Sequence, residues 1–384
     1  MTNKFESFNS QETMETGEIS YEKASREIRD SGYRFHKQAH DKEGRDPKIY
    51  HTSEHPRILE LRAEQMADMF NLSPEQSALI KMAISWHDTI IDYDEADPNN
   101  LLAMIRRHRG AREGDTPKGA EGNEGKSARL LEQEMRKANE LAKREIFTEE
   151  QIRIAVWAIE ATYPDVNFGQ DFKGANFKEY PYYEAAIAQN PDIGDILDEL
   201  EIHGINKGPL FFQPHLEKPL EEGQKVPKEV LVVAFSDLGA AGIAEKEIFF
   251  KEGDDEMREL YANLQRPDVM HRLVNGDEEQ DRADREKFTT AFLEWAESQP
   301  GFAAWQALRF EKILYLLKEQ NSINSEEEQK LRSQFSHFAD NIRAAHDRAR
   351  ELKAKFEETK STLGEKAAFL HLAQNLHYGF THQL

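Results

Sequence analysis

Residues 73–88 read Ser-Pro-Glu-Gln-Ser-Ala-Leu-Ile-Lys-Met-Ala-Ile-Ser-Trp-His-Asp, and this stretch carries both a helix signal and a chemical one. Ser73 and Gln76 form the pattern of a capping box, with proline at the first helical position. One helical face then carries the apolar residues Leu79, Met82, Ala83 and Trp86. His87 continues that face, so the pattern predicts a helix that directs His87 inward. Taken alone, His87 fits better as a core histidine whose ring nitrogens find hydrogen-bond partners.

Two further His-Asp pairs occur in the chain, and their surroundings differ from those of His87-Asp88. The pair His40-Asp41 lies in a polar stretch without apolar periodicity, and His346-Asp347 lies among arginines. Charged residues are rarely buried without a partner. We therefore expect both of these pairs to be solvated surface residues.

A second helix is predicted from about Lys228, where the apolar run 230–235 leads to Asp237. The helical stripe consists of Val230, Val233, Ala234, Asp237 and Ala241. An ionised carboxylate in such a setting needs a proton, a cationic partner or a metal. A strand over residues 229–235 is the alternative, and it would leave Asp237 in a loop.

A pair of histidines, His51 and His55, precedes or begins another helix, because Pro56 suits a first helical turn. The pair fits one metal ligand plus a general acid, or one ligand plus a surface residue. The chain has no cysteine, so a metal could be held only by nitrogen and oxygen atoms. A site with four such ligands leaves coordination positions open for water or a substrate phosphate, which favours hydrolysis.

The order of these residues resembles the HD superfamily of metal-dependent phosphohydrolases, and most closely its branch of predicted HD phosphohydrolases. That family has a histidine, an adjacent His-Asp pair and a distant aspartate. Its further landmarks resemble Trp86 to Asp94, Asn123-Glu124 with Ser127-Ala128, Ile159 to Thr162, and Ser236-Asp237-Leu238. The resemblance covers roughly residues 30 to 320.

The resemblance implies an all-α fold, an HD-domain helical bundle that binds one divalent metal ion (Mn, Ni, Co, Mg, Fe or Zn). The implied metal ligands are His55, His87, Asp88 and Asp237. Asp88 would also hold the attacking water, and His51 or Glu124 would protonate the leaving group. The implied substrate is a phosphate ester, a nucleotide or a related small phosphometabolite.

Two other functions are compatible with the sequence. The first is an alarmone-type pyrophosphohydrolase, although Ile91 stands where that family has a glutamate. The second is a non-catalytic, metal-bound HD domain that acts as a binding or regulatory module. Turnover of phosphate esters would distinguish the second from an enzyme.

A group of basic residues follows the His-Asp helix, with arginine at 106, 107, 109 and 112. The guanidinium fork matches phosphate oxygens, so a lid that clamps an anionic substrate is one interpretation. A solvated loop whose arginines pair with nearby acids is the other. We refer to Arg106, Arg107 and Arg109, the predicted substrate-binding residues, as the insertion arginines.

The composition bounds the remaining properties of this chain of 384 residues. Its 50 basic and 72 acidic residues give a net charge of −22, which argues against strong nucleic-acid binding and adhesion to anionic membranes. No apolar run would span a bilayer and no secretory signal is evident, so a cytoplasmic location is expected.

The predicted organisation has three parts. Residues 1–18 read as a disordered tail. Residues 19–320 form the HD-type domain, with insertions at 97–122 and 164–227, the second of which is expected to be irregular and to form loops. Residues 325–384 form a charged helical C-terminal extension. Its apolar spacing predicts a hairpin or partner-binding helix, able to mediate homo-oligomers, or a helix packed on the main domain.

Overall fold

The computed structural model describes residues 19–45, 47–91, 93–94, 106–107, 122–167, 175–180, 182–205, 207–208, 210–261, 264 and 266–376. The predicted N-terminal tail and most of the 97–122 insertion lie outside these ranges. The described part is all-α, as predicted, with strands of only two or three residues. No helix within it combines the length and apolar character that a membrane span requires.

The helices, in chain order, are α1 (Tyr21–Ala39), α2 (Glu54–Met69), α3 (Pro74–Trp86), α4 (Asn123–Ala142), α5 (Glu149–Glu160), α6 (Tyr183–Gln189), α7 (Pro191–Ile202), α8 (Pro214–Glu221), α9 (Lys228–Leu238), α10 (Ala240–Ile243), α11 (Lys246–Leu260), α12 (Pro267–Asn275), α13 (Glu279–Glu319), α14 (Ser325–Gln334), α15 (Phe338–Leu363) and α16 (Glu365–Asn375). The strands are β1 (Tyr93–Asp94), β2 (Arg106–Arg107), β3 (Asp165–Asn167), β4 (Ala175–Asn176), β5 (Lys207–Gly208) and β6 (Leu210–Phe212). They form three antiparallel pairs, β1 with β2, β3 with β6, and β4 with β5.

Local signals account for the start of the helix that carries the His-Asp pair. At α3, the Ser73 side chain accepts from the Gln76 backbone N–H and the Gln76 side chain accepts from the Ser73 N–H, which completes the predicted capping box. Helix α4 begins at Asn123 with Gly122 as its N-cap.

Two apolar cores hold the helices together. The first contains residues from α1 to α5, α9 and the second half of α13. The second contains residues from α12, the first half of α13, α15 and α16. Helix α11 contributes Phe249 to the first core and Met257 to the second, so it connects the two.

The prediction that residues 164–227 form irregular loops was wrong for much of the segment. Helices α6, α7 and α8 lie within it and pack against α13. Helix α7 buries the apolar residues Ile193, Ile196, Leu197 and Leu200. Proline and glycine between these short helices obscure the helical period in the sequence, whereas burial against α13 stabilises them.

The C-terminal helices are packed against the rest of the chain. Apolar residues of α14, α15 and their junction lie in the first core, namely Leu331, Phe335, Phe338, Ile342 and Ala345. This confirms the packed helix among the alternatives, while binding of a partner stays a prediction. His346 is 6% exposed and its ring centroid lies 4.7 Å from that of His203, with the two rings tilted, so the expectation of a solvated histidine there was wrong.

Candidate metal centre

Four side chains from three helix ends converge on one point of the first core. His55 lies in the first turn of α2, His87 and Asp88 follow the last residue of α3, and Asp237 lies near the end of α9. Their candidate ligand atoms all lie within 4.8 Å of one another. The helix that was predicted for Asp237, rather than the alternative strand, is therefore the element that brings it to the group.

The contacts within this group are close but do not have the alignment of hydrogen bonds. His87 Nε2 lies 2.9 Å from Asp88 Oδ2, and His55 Nε2 lies 3.5 Å from the same oxygen and 3.4 Å from Asp237 Oδ1. Among the described residues, neither Nε2 atom has a hydrogen-bond partner, although both atoms are buried. Such buried nitrogens need another partner, because leaving them unsatisfied costs free energy.

The tautomer of His87 identifies what kind of partner fits. His87 Nδ1 lies 2.7 Å from the carbonyl oxygen of Ile84, which can only accept, so Nδ1 carries the hydrogen. In the neutral ring, Nε2 then presents a lone pair toward the Asp88 carboxylate. Two acceptors at this separation repel each other unless a cation lies between them.

A metal ion satisfies this arrangement. Metal–ligand bonds of about 2.0–2.2 Å to nitrogen and oxygen give ligand separations of about 3 to 4.4 Å, close to the observed spread. Two imidazoles and two carboxylates suit a divalent cation of intermediate hardness. The four side chains could hold a metal ion.

The pKa shifts of His55 and Asp88 likewise favour positive charge within this group. Burial alone would lower the pKa of His55, but the adjacent carboxylates of Asp237 and Asp88 outweigh it and raise this pKa to about 9. Burial would raise the pKa of Asp88, yet His87, His51 and His55 hold it well below its usual range. The two carboxylates therefore favour a positive charge at this point.

His51 lies beside the four side chains without belonging to their group. Its Nε2 is 3.8 Å from Asp88 Oδ2, and its Nδ1 is 2.6 Å from Glu259 Oε1. Burial opposes the charged ring, but Glu259 and Asp88 together raise the pKa of His51. The geometry is compatible with the predicted proton donor.

Arg62 supports the Asp237 side of the group. Its guanidinium donates to the carbonyl oxygen of Ser236 at 3.4 Å and forms an ion pair with Glu252 on α11. The side chain is 7% exposed. Arg62 thus connects α2, the end of α9 and α11 around the candidate ligands.

The His40-Asp41 pair was expected at the solvated surface, and this was wrong. His40 is buried, and its Nε2 donates to the carbonyl oxygen of Thr89 at 3.1 Å. Asp41 accepts from the backbone N–H and the hydroxyl of Ser53 at 2.8 and 2.9 Å. His40 therefore contacts the chain one residue after Asp88, and Asp41 contacts the chain two residues before His55.

His36 is a buried histidine next to the group that the sequence did not single out. Its ring centroid is 6.4 Å from that of His87, and neither ring nitrogen has a hydrogen-bond partner among the described residues. Burial, reinforced by the neighbouring His87 ring, holds the pKa of His36 well below its usual range. His36 is therefore neutral and contributes packing.

The remaining predicted site residues are Glu124 and the insertion arginines, and the structure describes only part of this set. Glu124 is buried in the first turn of α4, and Ser127, one turn later, accepts from the Ile90 N–H at 3.1 Å. The start of α4 is therefore adjacent to the chain that follows Asp88. The β2 backbone, Arg106–Arg107, pairs with β1, while Arg109 lies outside the described residues.

The sequence interpretation missed Glu259, Arg62 and the supporting pair at His40 and Asp41. A signal for Glu259 was present, because Glu252, Glu256 and Glu259 follow helical spacing on α11. Such a stripe is also typical of a solvated helix face, so spacing alone could not assign it.

Comparisons with known proteins give no relative for this chain. No family model, no curated protein and no solved structure matches it.

Proposed function

We propose that this protein is a metal-dependent phosphohydrolase of the HD type. It would hydrolyse a phosphate ester, a nucleotide or a related small phosphometabolite, and hold one divalent ion with His55, His87, Asp88 and Asp237. The observation that carries the proposal is the convergence of these side chains, whose candidate ligand nitrogens and oxygens all lie within 4.8 Å of one another.

When bound, a divalent ion polarises a phosphoryl oxygen and lowers the pKa of a bound water, which supplies the nucleophile. Asp88 has two carboxylate oxygens, so one can hold the attacking water while the other faces the histidines. His51 would donate a proton to the leaving-group oxygen from Nε2, which is supported by the contact of its Nδ1 with Glu259. Glu124 is the alternative donor from the start of α4.

The charge around the site supports a small substrate with few phosphates. Carboxylates of α11 lie on the His51 side, since Glu259 contacts the ring and Glu256 adds to the raised pKa of His51. These negative charges oppose a polyanion. The insertion arginines would offset the repulsion, and the pairing of β2 with β1 brings the backbone of Arg106 and Arg107 close to the chain that leaves Asp88.

Two measurements test this proposal in order. First, purified protein is loaded with Mn²⁺, Ni²⁺, Mg²⁺ or Zn²⁺ and analysed for metal, with about one ion per chain expected for a site of this ligand number. Asp88→Ala should lose the ion. His346→Gln, which changes a buried histidine outside the group, should retain it.

Second, the loaded protein is assayed against phosphomonoesters, phosphodiesters and a guanosine nucleotide with a 3′-pyrophosphate. Release of phosphate from monoesters or cleavage of diesters supports the proposal, and selective release of pyrophosphate favours the alarmone-type activity instead. Stoichiometric metal without turnover of any ester would refute an enzymatic role and favour the binding or regulatory module.

A further inference from the structure

We infer that Glu259 is a positioning residue, which fixes the ring of His51 with the hydrogen on Nδ1 and with Nε2 directed at the candidate metal group. The inference rests on the proposed function for its catalytic consequence. The orientation itself rests on contacts that can be measured in the protein without substrate.

The two carboxylate oxygens of Glu259 have different partners. Oε2 accepts backbone N–H groups of three successive residues, Ile49 at 2.9 Å, Tyr50 at 2.8 Å and His51 at 3.2 Å. Oε1 lies 2.6 Å from His51 Nδ1. Glu259 is 3% exposed, so these hydrogen bonds are shielded from water.

The different partners of the two Glu259 oxygens determine which ring nitrogen of His51 carries the hydrogen. Backbone N–H groups can only donate, so Oε2 is committed to them and Oε1 is left for the ring. A carboxylate oxygen also only accepts, so Nδ1 carries the hydrogen between the two atoms. The other ring nitrogen, Nε2, then points toward Asp88 Oδ2, 3.8 Å away.

The rest of the fold holds Glu259 in place. Helix α11 is anchored by Phe249 in the first core and by Met257 in the second core. Glu259 and His51 are separated by 208 positions in the sequence, so only the tertiary structure brings them together. The second core therefore supports the site indirectly, because Met257 anchors the helix that carries Glu259.

Glu259→Gln is the decisive variant, because the amide is nearly isosteric and has one acceptor and one donor group. The three backbone N–H groups require the amide oxygen, so the NH₂ group must face His51 Nδ1. A donor at that point excludes hydrogen from Nδ1 and shifts it to Nε2. Asp255→Asn is the matched control, since Asp255 lies on the same helix but pairs with Lys251 and Arg258.

The primary readout is the ring nitrogen NMR signal of His51 in the full-length protein with Zn²⁺ added, assigned with a His51→Gln variant. In the wild type and in Asp255→Asn, the neutral ring should carry its hydrogen on Nδ1. In Glu259→Gln, the neutral ring should carry its hydrogen on Nε2. A neutral wild-type ring protonated on Nε2, or an unchanged tautomer in a folded Glu259→Gln variant, would overturn the inference.

The second readout is dependence on the leaving group. In Glu259→Gln, the amide donor faces Nδ1, so the neutral His51 ring carries its hydrogen on Nε2 and would become an anion if it gave that hydrogen up. The value of kcat for an alkyl phosphate should therefore fall about 10- to 100-fold in this variant. Turnover of 4-nitrophenyl phosphate, whose leaving group needs no proton, should change less than about 3-fold. Equal losses on both esters would contradict the positioning role.

The two proposals fail in distinguishable ways. If the wild type hydrolyses no ester, the proposed function is refuted, while the nitrogen spectra still decide the role of Glu259. If the wild type is active and the tautomer does not respond to Glu259→Gln, the positioning role is refuted and the proposed function stands. Wild-type spectra alone decide the outcome should Glu259→Gln not fold.

Discussion

Without a bound metal ion, the stability of this protein should fall as the pH rises from about 6.5 to about 9. The folded protein raises the pKa of His55 to about 9, because Asp237 and Asp88 stabilise the charged ring more than burial destabilises it. In the unfolded chain, a histidine titrates near about 6.5. The folded state therefore holds a proton that the unfolded state releases, and stability falls with pH between these two values.

The size of the effect follows from the gap between the two pKa values. At about 1.4 kcal/mol per pH unit, the folded value of about 9 and the unfolded value of about 6.5 correspond to about 3.5 kcal/mol of unfolding free energy. This stabilisation is fully present below pH 6.5 and absent above pH 9. His51, whose pKa is also raised, changes stability in the same direction. The lowered pKa of Asp88 acts only in acid, where protonation of Asp88 would destabilise the fold.

The assay is urea denaturation at pH 6, 7.5 and 9, with chelator in one series and saturating metal in the other. A bound metal replaces the proton as the cation between His55 and the two carboxylates, so the metal-loaded series should not lose this stability. His55→Gln removes the His55 contribution and should flatten most of the dependence in chelator. Equal stability of the metal-free wild type at pH 6 and pH 9 would refute this reasoning, as would an equal loss with metal present.

Three more predictions concern ligand roles, packing and substrate binding. His55→Ala should abolish metal binding, whereas His51→Ala should retain the ion and lower turnover about 100-fold or more, so elemental analysis showing equal metal loss would contradict this division. Gly32→Ala places a Cβ 2.3 Å from the Ser85 carbonyl oxygen. Urea denaturation should show a loss of about 2 kcal/mol of unfolding free energy, because an overpacking cost of about 3 kcal/mol is partly offset by about 1 kcal/mol of improved helix propensity. Gly253→Ala, whose Cβ would meet only the Gln299 side chain, should be neutral or stabilising. Replacement of the three insertion arginines by serine should raise KM several-fold with kcat little changed, and should weaken the dependence of KM on ionic strength. An unchanged KM would indicate that the segment is a solvated loop.

The sequence alone determined the all-α class and the placement of the four candidate ligands on or beside helices. These predictions succeeded because they depend on local periodicity and end signals, such as the capping box at Ser73 and the apolar stripe leading to Asp237. The ligand order along the chain identified the same four residues that the fold brings within 4.8 Å. Whether they bind metal and hydrolyse an ester stays a prediction.

Only the tertiary structure decided which other residues support that group. Glu259 contacts His51 across 208 positions, and the polar surroundings of His40 and Asp41 gave no sign that their side chains turn inward. The helices of the 164–227 segment are likewise stabilised by contacts with α13 rather than by their own period. Hydrogen bonds and burial between distant segments have no fixed spacing in a chain, because they arise only when separately formed helices pack together.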